Sequence, residues 1–235
     1  MKTKIKLLVI KIFEKMKLRE TKVESPVRLN PKNILRFHSI SVLTNLAVEN
    51  IGINNIKNYW LAEAGIGYGE TFSFLSRIAS ILDTKLIGFD SFKGFPEPSS
   101  EKDQRAWGGK TKAGQWNVND EVSINNKVNR TNSDDKIAST YTELVSGFFE
   151  ESLKTYEPEK QFFFVHLDVD LYSSYSTCLP YFYDRLAVGG IIGFDEYNDL
   201  KWYGAKIAID EFCEERDIVL KIEPVTGRGY IIKVI

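Results

Sequence analysis

The feature that most constrains this chain is the run Phe162-Phe163-Phe164-Val165-His166-Leu167, with Asp168 and Asp170 just beyond it. A stretch with one polar member in six has no face to offer water. It reads as a central strand of a parallel sheet covered on both sides. Shorter runs of the same kind recur along the chain, separated by segments of helical period. Residues 59–62 form a short strand ended by a glycine-rich turn, 72–82 an amphipathic helix, and 85–89 a second strand with Asp90 at its end. A third strand is expected within 137–145, then a helix over 148–156. A helix over 175–186, bent at Pro180, a strand over 188–194 and a helix over 205–215 follow. Two strands, 218–222 and 230–235, close the chain around the turn Thr226-Gly227-Arg228-Gly229. The alternation predicts an α/β, Rossmann-like fold: a mostly parallel seven-stranded sheet, helices on both faces, and an antiparallel C-terminal hairpin.

The N-terminal 30 residues stand apart. Residues 1–20 carry seven Lys/Arg against two Glu, with Ile5, Leu8, Ile12 and Met16 at helical spacing. The apolar run 7–10 is too short for a secretion signal, and no small-residue cleavage site follows. Ser25, Pro26, Asn30 and Pro31 then break the pattern as a linker, and a helix follows over 40–51. The division expected is a basic amphipathic helix with its linker in 1–30 and one folded domain in 31–235. The helix either docks on the domain or a second subunit, which implies a homo-oligomer, or lies on an anionic membrane surface. A cytoplasmic protein is expected, with the inner membrane surface as its other station. A net charge of −1 speaks against nucleic acid as a partner. Cys178 and Cys213 lie in apolar helical stretches without metal-ligand spacing and read as buried thiols.

In an open parallel sheet, ligands bind beyond the carboxyl ends of the strands. The first such end is Glu63-Ala64-Gly65-Ile66-Gly67-Tyr68-Gly69-Glu70-Thr71. Its glycines allow a tight turn and close backbone approach, but the spacing departs from the dinucleotide fingerprint. An acidic residue before them suits a ligand with an ammonium better than one with a pyrophosphate. Asp90, 21 residues after Gly69, stands where a carboxylate accepts ribose hydroxyls. Asp168, Asp170, Asp195 and Glu196 follow two further strands. Singly each reads as a helix cap or a solvated loop charge. Four together, with no Cys or His, point to a hard divalent cation such as magnesium. His166 reads as a core histidine more readily than a catalyst. Residues 94–119 form a long loop with Trp107 and Trp116, a candidate lid or a small apolar anchor.

In combination these motifs resemble the macrocin O-methyltransferase family, metal-dependent class I methyltransferases acting on sugar hydroxyls. The likeness runs from about residue 59 to 212. It is carried by Glu63-x-Gly65-x-x-x-Gly69 with Thr71, the run Gly88-Phe89-Asp90-Ser91-Phe92-Lys93-Gly94-Phe95-Pro96 and Gly147-Phe148-Phe149-Glu150-Glu151-Ser152-Leu153. His166-Leu167-Asp168-Val169-Asp170-Leu171-Tyr172, Gly189-Gly190 and Asp195-Glu196-Tyr197 complete it. The resemblance implies S-adenosylmethionine and Mg2+ or another divalent cation as cofactors. It places Glu63, Gly65, Gly69 and Thr71 at the methionine end, Asp90 at the ribose with Ser91 and Phe92 beside it, and Gly147 and Phe148 near the adenine. It assigns Asp168, Asp195 and Glu196 to the metal and Asp170 to proton abstraction. Glu196 stands where the family often has Asp, and Tyr175 where Thr is usual.

The acceptor expected is a small molecule or glycan. Lys102, Gln104, Lys110, Gln115 and Asn117 in the long loop favour a sugar over a catechol-like phenol. A non-catalytic binding module with the same fold is the other reading, against which the retained carboxylates count.

Overall fold

The computed structural model describes residues 31–103 and 110–234. The expected helix over 1–20, its linker up to Asn30, Gln104 and Trp107 lie outside the described residues. Seven strands form one sheet in the order β3-β2-β1-β4-β5-β7-β6. They are β1 Trp60–Ala64, β2 Leu86–Asp90, β3 Thr142–Ser146, β4 Phe162–Leu167, β5 Leu186–Phe194, β6 Lys221–Ile222 and β7 Gly229–Ile232. The first five are parallel, and β7 runs antiparallel to both β5 and β6. The order therefore reverses between β1 and β4, and a crevice opens at their carboxyl ends.

Among the described residues, seven α-helices accompany the sheet: α1 Pro31–Ile51, α2 Glu70–Leu82, α3 Glu121–Asn132, α4 Ile137–Tyr141, α5 Phe149–Thr155, α6 Tyr172–Asp184 and α7 Tyr203–Glu215. Helix α1 begins at Pro31, nine residues before the expected start and inside the expected linker. Proline is suited to a first helical turn, where its missing N–H has no partner to lose. Helix α3 has no counterpart among the expected elements. Its sequence is mostly polar, and only Ile124 and Val128, one turn apart, reach the core. The segment expected as a third strand divides into the single-turn α4 and the strand β3, because the β-rich composition of 137–145 hides the short helix. Pro180 lies within α6.

Two apolar layers cover the sheet. On one side Trp60, Ala62, Ala64, Val165 and Leu167 meet the buried faces of α6 and α7. On the other, Leu61, Phe163 and Phe164 meet Phe37, Ile40, Leu43 and Ala47 of α1 and Phe72 and Leu75 of α2. Phe163 and Phe164 share a face because an irregularity in β4 interrupts the pairing between Phe162 and Phe164. An extra residue in a strand reverses the alternation after it. His166 is thereby set opposite Glu63 across β1, and both side chains are buried.

Candidate functional site

A cleft of about 310 Å³ lies at the strand ends, within the size range of small-ligand sites. Gly65, Thr71, Asp90, Ser91, Gly147, Phe148, Asp168, Asp170, Asp195 and Glu196 all line it. Glu63, Gly69 and Phe92, three other residues expected at the cofactor, are not among its lining residues. Glu63 is fully buried under the floor, hydrogen-bonded to His166 Nδ1 at 3.2 Å. Gly69 is left-handed at φ +76° and caps α2.

One half of the cleft is built from backbone. Ladder hydrogen bonds continue past the strands, with Gly65 N donating to Phe89 O and Asp168 N to Ala64 O. Gly65 adopts φ +81°, and a Cβ there would sit 1.9 Å from the Asp168 carbonyl oxygen. Only glycine fits so close a crossing. Asp90 pins the loop from the next strand: its Oδ2 accepts from Ile66 N at 2.8 Å and Gly67 N at 3.3 Å, and its Oδ1 accepts from Phe92 N at 2.8 Å. A carboxylate oxygen accepts two hydrogen bonds, so Oδ1 keeps one acceptor position.

The other half is crowded with charge. Strands β4 and β5 are direct parallel neighbours, and Asp195 N donates to Leu167 O just beyond them. Carboxylate oxygens of Asp168, Asp195 and Glu196 lie within 4.8 Å of one another. Asp170 takes the left-handed conformation, φ +57°. This turns the chain out of extended geometry, and Asp170 lines the same cleft as Asp168, with Val169 between them.

Two arginines, neither singled out by the sequence, hold this half together. Arg36 of α1 donates through Nε to Asp195 Oδ1 at 2.7 Å and through Nη2 to Asp195 Oδ2, while its Nη1 lies 3.2 Å from Asp168 Oδ2. Arg228, in the turn between β6 and β7, adds Nε to Asp195 Oδ1 at 3.1 Å. Burial alone would raise the Asp195 carboxyl, but the two guanidinium charges outweigh it and hold its pKa at about 2. The same carboxylates, against burial, raise the pKa of Arg36. Among the described residues, neither Glu196 nor Asp170 forms a salt bridge, although the charges of Lys201 and Arg36 act on Asp170 from further off. Burial and then the charge of Asp168 push both well above the ordinary carboxyl range. Tyr175, fully buried, places its hydroxyl 2.6 Å from Glu196 Oε2 and 3.0 Å from Leu167 O. Its single proton can serve either of these two acceptors. This gives the departure at position 175 a structural role.

The macrocin O-methyltransferase (TylF) family matches residues 41–232. The chain belongs to that family. It is therefore an O-methyltransferase. Among solved structures, the O-methyltransferase NovP superposes with a TM-score of 0.70 at 23% identity, covering 86% of this chain and 81% of that one. The calicheamicin methyltransferase CalS11 superposes at 0.67 and 19% identity, covering 98% and 91%. An apo form of CalS11, described as a TDP-rhamnose 3'-O-methyltransferase, superposes at 0.63 and 18% identity, covering 87% and 81%. At such identities these likenesses establish the fold alone. No curated protein matches the chain at a significant level.

In this macrocin-family chain the described part of the long loop contributes less polarity to the cleft than its sequence suggests. Gly94, Phe95, Pro96 and Trp116 line the cleft, whereas Lys102, Lys110, Gln115 and Asn117 do not. Lys102 is instead paired with Glu211 of α7 at 2.7 Å. Cys178 and Cys213 are buried free thiols, as expected. Among the described residues, no helix is long and apolar enough to cross a membrane.

Proposed function

We propose that the protein transfers the methyl group of S-adenosylmethionine to a sugar hydroxyl during natural-product or glycan assembly, with a divalent cation at the acceptor. The observation that carries this reading is the meeting of two chemistries in one cleft: a glycine loop pinned by Asp90, and three carboxylate oxygens within 4.8 Å of one another. The family membership and the description of one structural neighbour as a TDP-rhamnose methyltransferase support a sugar acceptor.

Gly65 and Thr71 would face the methionine end, with Glu63 and Gly69 shaping that end from behind. The free acceptor position on Asp90 would take a ribose hydroxyl, Ser91 and Phe92 would border it, and Gly147 and Phe148 would flank the adenine. The oxygen-only donor set of Asp168, Asp195 and Glu196 fits magnesium or manganese. Crowded carboxylates are the donor chemistry a hard cation accepts, and its charge would favour the ionised form of Glu196 that burial and the crowding disfavour. Bound there, the cation would lower the pKa of an acceptor hydroxyl and orient it.

Methyl transfer is an in-line displacement: the carbon–sulfur bond of the sulfonium breaks as the carbon–oxygen bond forms, leaving S-adenosylhomocysteine. Most of the protein's contribution is therefore positioning. Asp170, whose basicity is raised by burial and by the charge of Asp168, would receive the hydroxyl proton in its ionised form. Calorimetric titration with S-adenosylmethionine, with and without magnesium, on wild type and Asp90→Ala tests the reading. Binding by wild type that the variant loses is expected. A folded wild type that binds in neither condition would favour a non-catalytic module.

A further inference from the structure

We infer that Arg36 is the resident counter-cation of the acidic cluster: it holds Asp168 and Asp195 in the cation-free protein and yields Asp168 when a divalent cation binds. The inference rests on the metal assignment above. It begins with how completely the guanidinium is used. Three of its nitrogens face carboxylate oxygens, two on Asp195 and one on Asp168. The Arg36 side chain is only 18% exposed, so its charge has lost much of its water and depends on these contacts.

The contacts are unequal. Asp195 is gripped by a two-pronged fork, the strong geometry for an arginine–carboxylate pair. Asp168 receives one nitrogen at 3.2 Å. Asp195 also keeps Arg228, at 3.1 Å, should Arg36 withdraw, whereas Asp168 has Arg36 as its sole ion-pair partner among the described residues. The weaker contact is the one that can open. A cation held by the same oxygens would carry charge of the same sign as Arg36, and two like charges over shared ligands repel strongly in a partly dry site. Binding of one therefore weakens the other by the same factor.

The placement of Arg36 adds a consequence. It sits in the second turn of α1, whose next residues, Phe37 and Ile40, are buried against the sheet. The helix is thereby anchored while its amino-terminal turn, with Lys32 and Asn33, remains part of the cleft wall. Release of Asp168 changes that wall without unseating the helix. Arg36 acts through Asp168 and Asp195 and is a positioning residue.

The test is titration of the full chain with MgCl2 and with MnCl2, followed by calorimetry, for wild type, Arg36→Met and Arg36→Lys. Methionine keeps the packing stem and removes the charge. Arg36→Met is expected to bind cations at least tenfold more tightly than wild type, and to melt lower without cation. Saturating Mg2+ should recover more of its melting temperature than wild type gains. A role confined to holding the helix would not tighten cation binding. Should Arg36→Met not fold, the wild-type Arg36 Nε–H resonance, assigned by its loss in Arg36→Lys, carries the test: it is expected to shift as Mg2+ is added. Equal or weaker cation affinity in Arg36→Met, or a resonance unmoved at saturating Mg2+, overturns the inference while leaving the metal assignment standing. Cation binding by neither protein overturns both.

Discussion

The two ends of the cleft are built by opposite means. At the β1–β2 end, one carboxylate, Asp90, is met by three backbone N–H groups supplied by its own neighbourhood and the adjoining loop. At the β4–β5 end, four carboxyls crowd together, and the charges that balance them come from α1 and from the turn after β6. The first arrangement is nearly complete without a ligand. The second depends on ions brought from far along the chain, and on carboxyls whose pKa burial and their neighbours raise. Rigid, self-contained geometry suits a donor that must always sit the same way. An over-supplied acidic pocket suits a step in which a proton and a cation change places.

The largest effect separating the two ends is expected from Asp170→Asn. Amide for carboxylate preserves shape and removes the proton acceptor, so kcat should fall by roughly 10²- to 10⁴-fold, the usual worth of a general base. Affinity for S-adenosylmethionine should remain within about twofold. Single-turnover rates with a sugar acceptor, beside cofactor calorimetry, check both halves. A comparable loss in cofactor affinity would show that the two ends are not separable.

Beneath the cleft the ends are joined by a buried polar seam. Glu63 Oε1 meets His166 Nδ1, and His166 Nε2 lies 3.8 Å from Asp195 Oδ1 without a hydrogen-bond partner among the described residues. Burial raises the Glu63 pKa from 4.5 to about 7, outweighing the hydrogen bond from His166. A carboxyl raised on folding binds its proton more tightly in the native state. Its contribution is fully present below the unfolded pKa near 4.5 and is lost as pH rises through about 7. Stability should therefore drop between pH 5.5 and 8.5 by about 2 kcal/mol from this group. Glu63→Gln should remove that drop, read as the difference between the variants' urea midpoints at the two pH values. Parallel pH dependences would mean that Glu63 is ionised throughout.

Next in size is Asp90→Ala at the locally built end. It removes a charged acceptor from Ile66, Gly67 and Phe92 N–H groups and, in the proposed function, from a cofactor hydroxyl. Cofactor affinity should weaken roughly 10- to 100-fold, since hydrogen bonds to a charged group contribute about 1.5–3 kcal/mol. Cation affinity, measured separately, should hardly move. If it falls equally, the loop and the acidic cluster form one cooperative unit, and their contact at Gly65 is the place to look.

The same contrast explains what could be read from the sequence. Strands β1, β2, β4 and β5 are apolar runs with acidic or glycine-rich ends, so the crevice and all four acidic residues followed from local pattern. Arg36 and Arg228 did not, because their partner Asp195 lies 159 and 33 residues away and nothing near either arginine marks it. Helix α3 escaped for a related reason: a helix resting on Ile124 and Val128 carries too narrow an apolar stripe to announce itself. The loop polar groups misled in the other direction. Composition suggested a sugar-binding lining, but composition does not say which way a side chain turns, and Lys102 turns towards Glu211.

Trp116 gives the smallest expected effect and the finest division of the two ends. It lies at the cleft with its ring edge-on to Tyr68 at 6.3 Å, on the cofactor side, and with Lys201 Nζ 5.3 Å from its centroid, on the acidic side. At 41% exposed it keeps part of its ring surface free. If its free surface stacks on the acceptor, Trp116→Ala should raise acceptor KM about fivefold, equivalent to roughly 1 kcal/mol of stacking, with kcat and cofactor affinity unchanged. If it serves instead as an anchor for the long loop, acceptor KM should stay constant while the melting temperature falls. A third pattern, weaker cofactor binding through loss of the Tyr68 contact, would assign the tryptophan to the β1 loop. Steady-state kinetics, cofactor calorimetry and a melting curve on this one variant decide to which end the mouth of the cleft belongs.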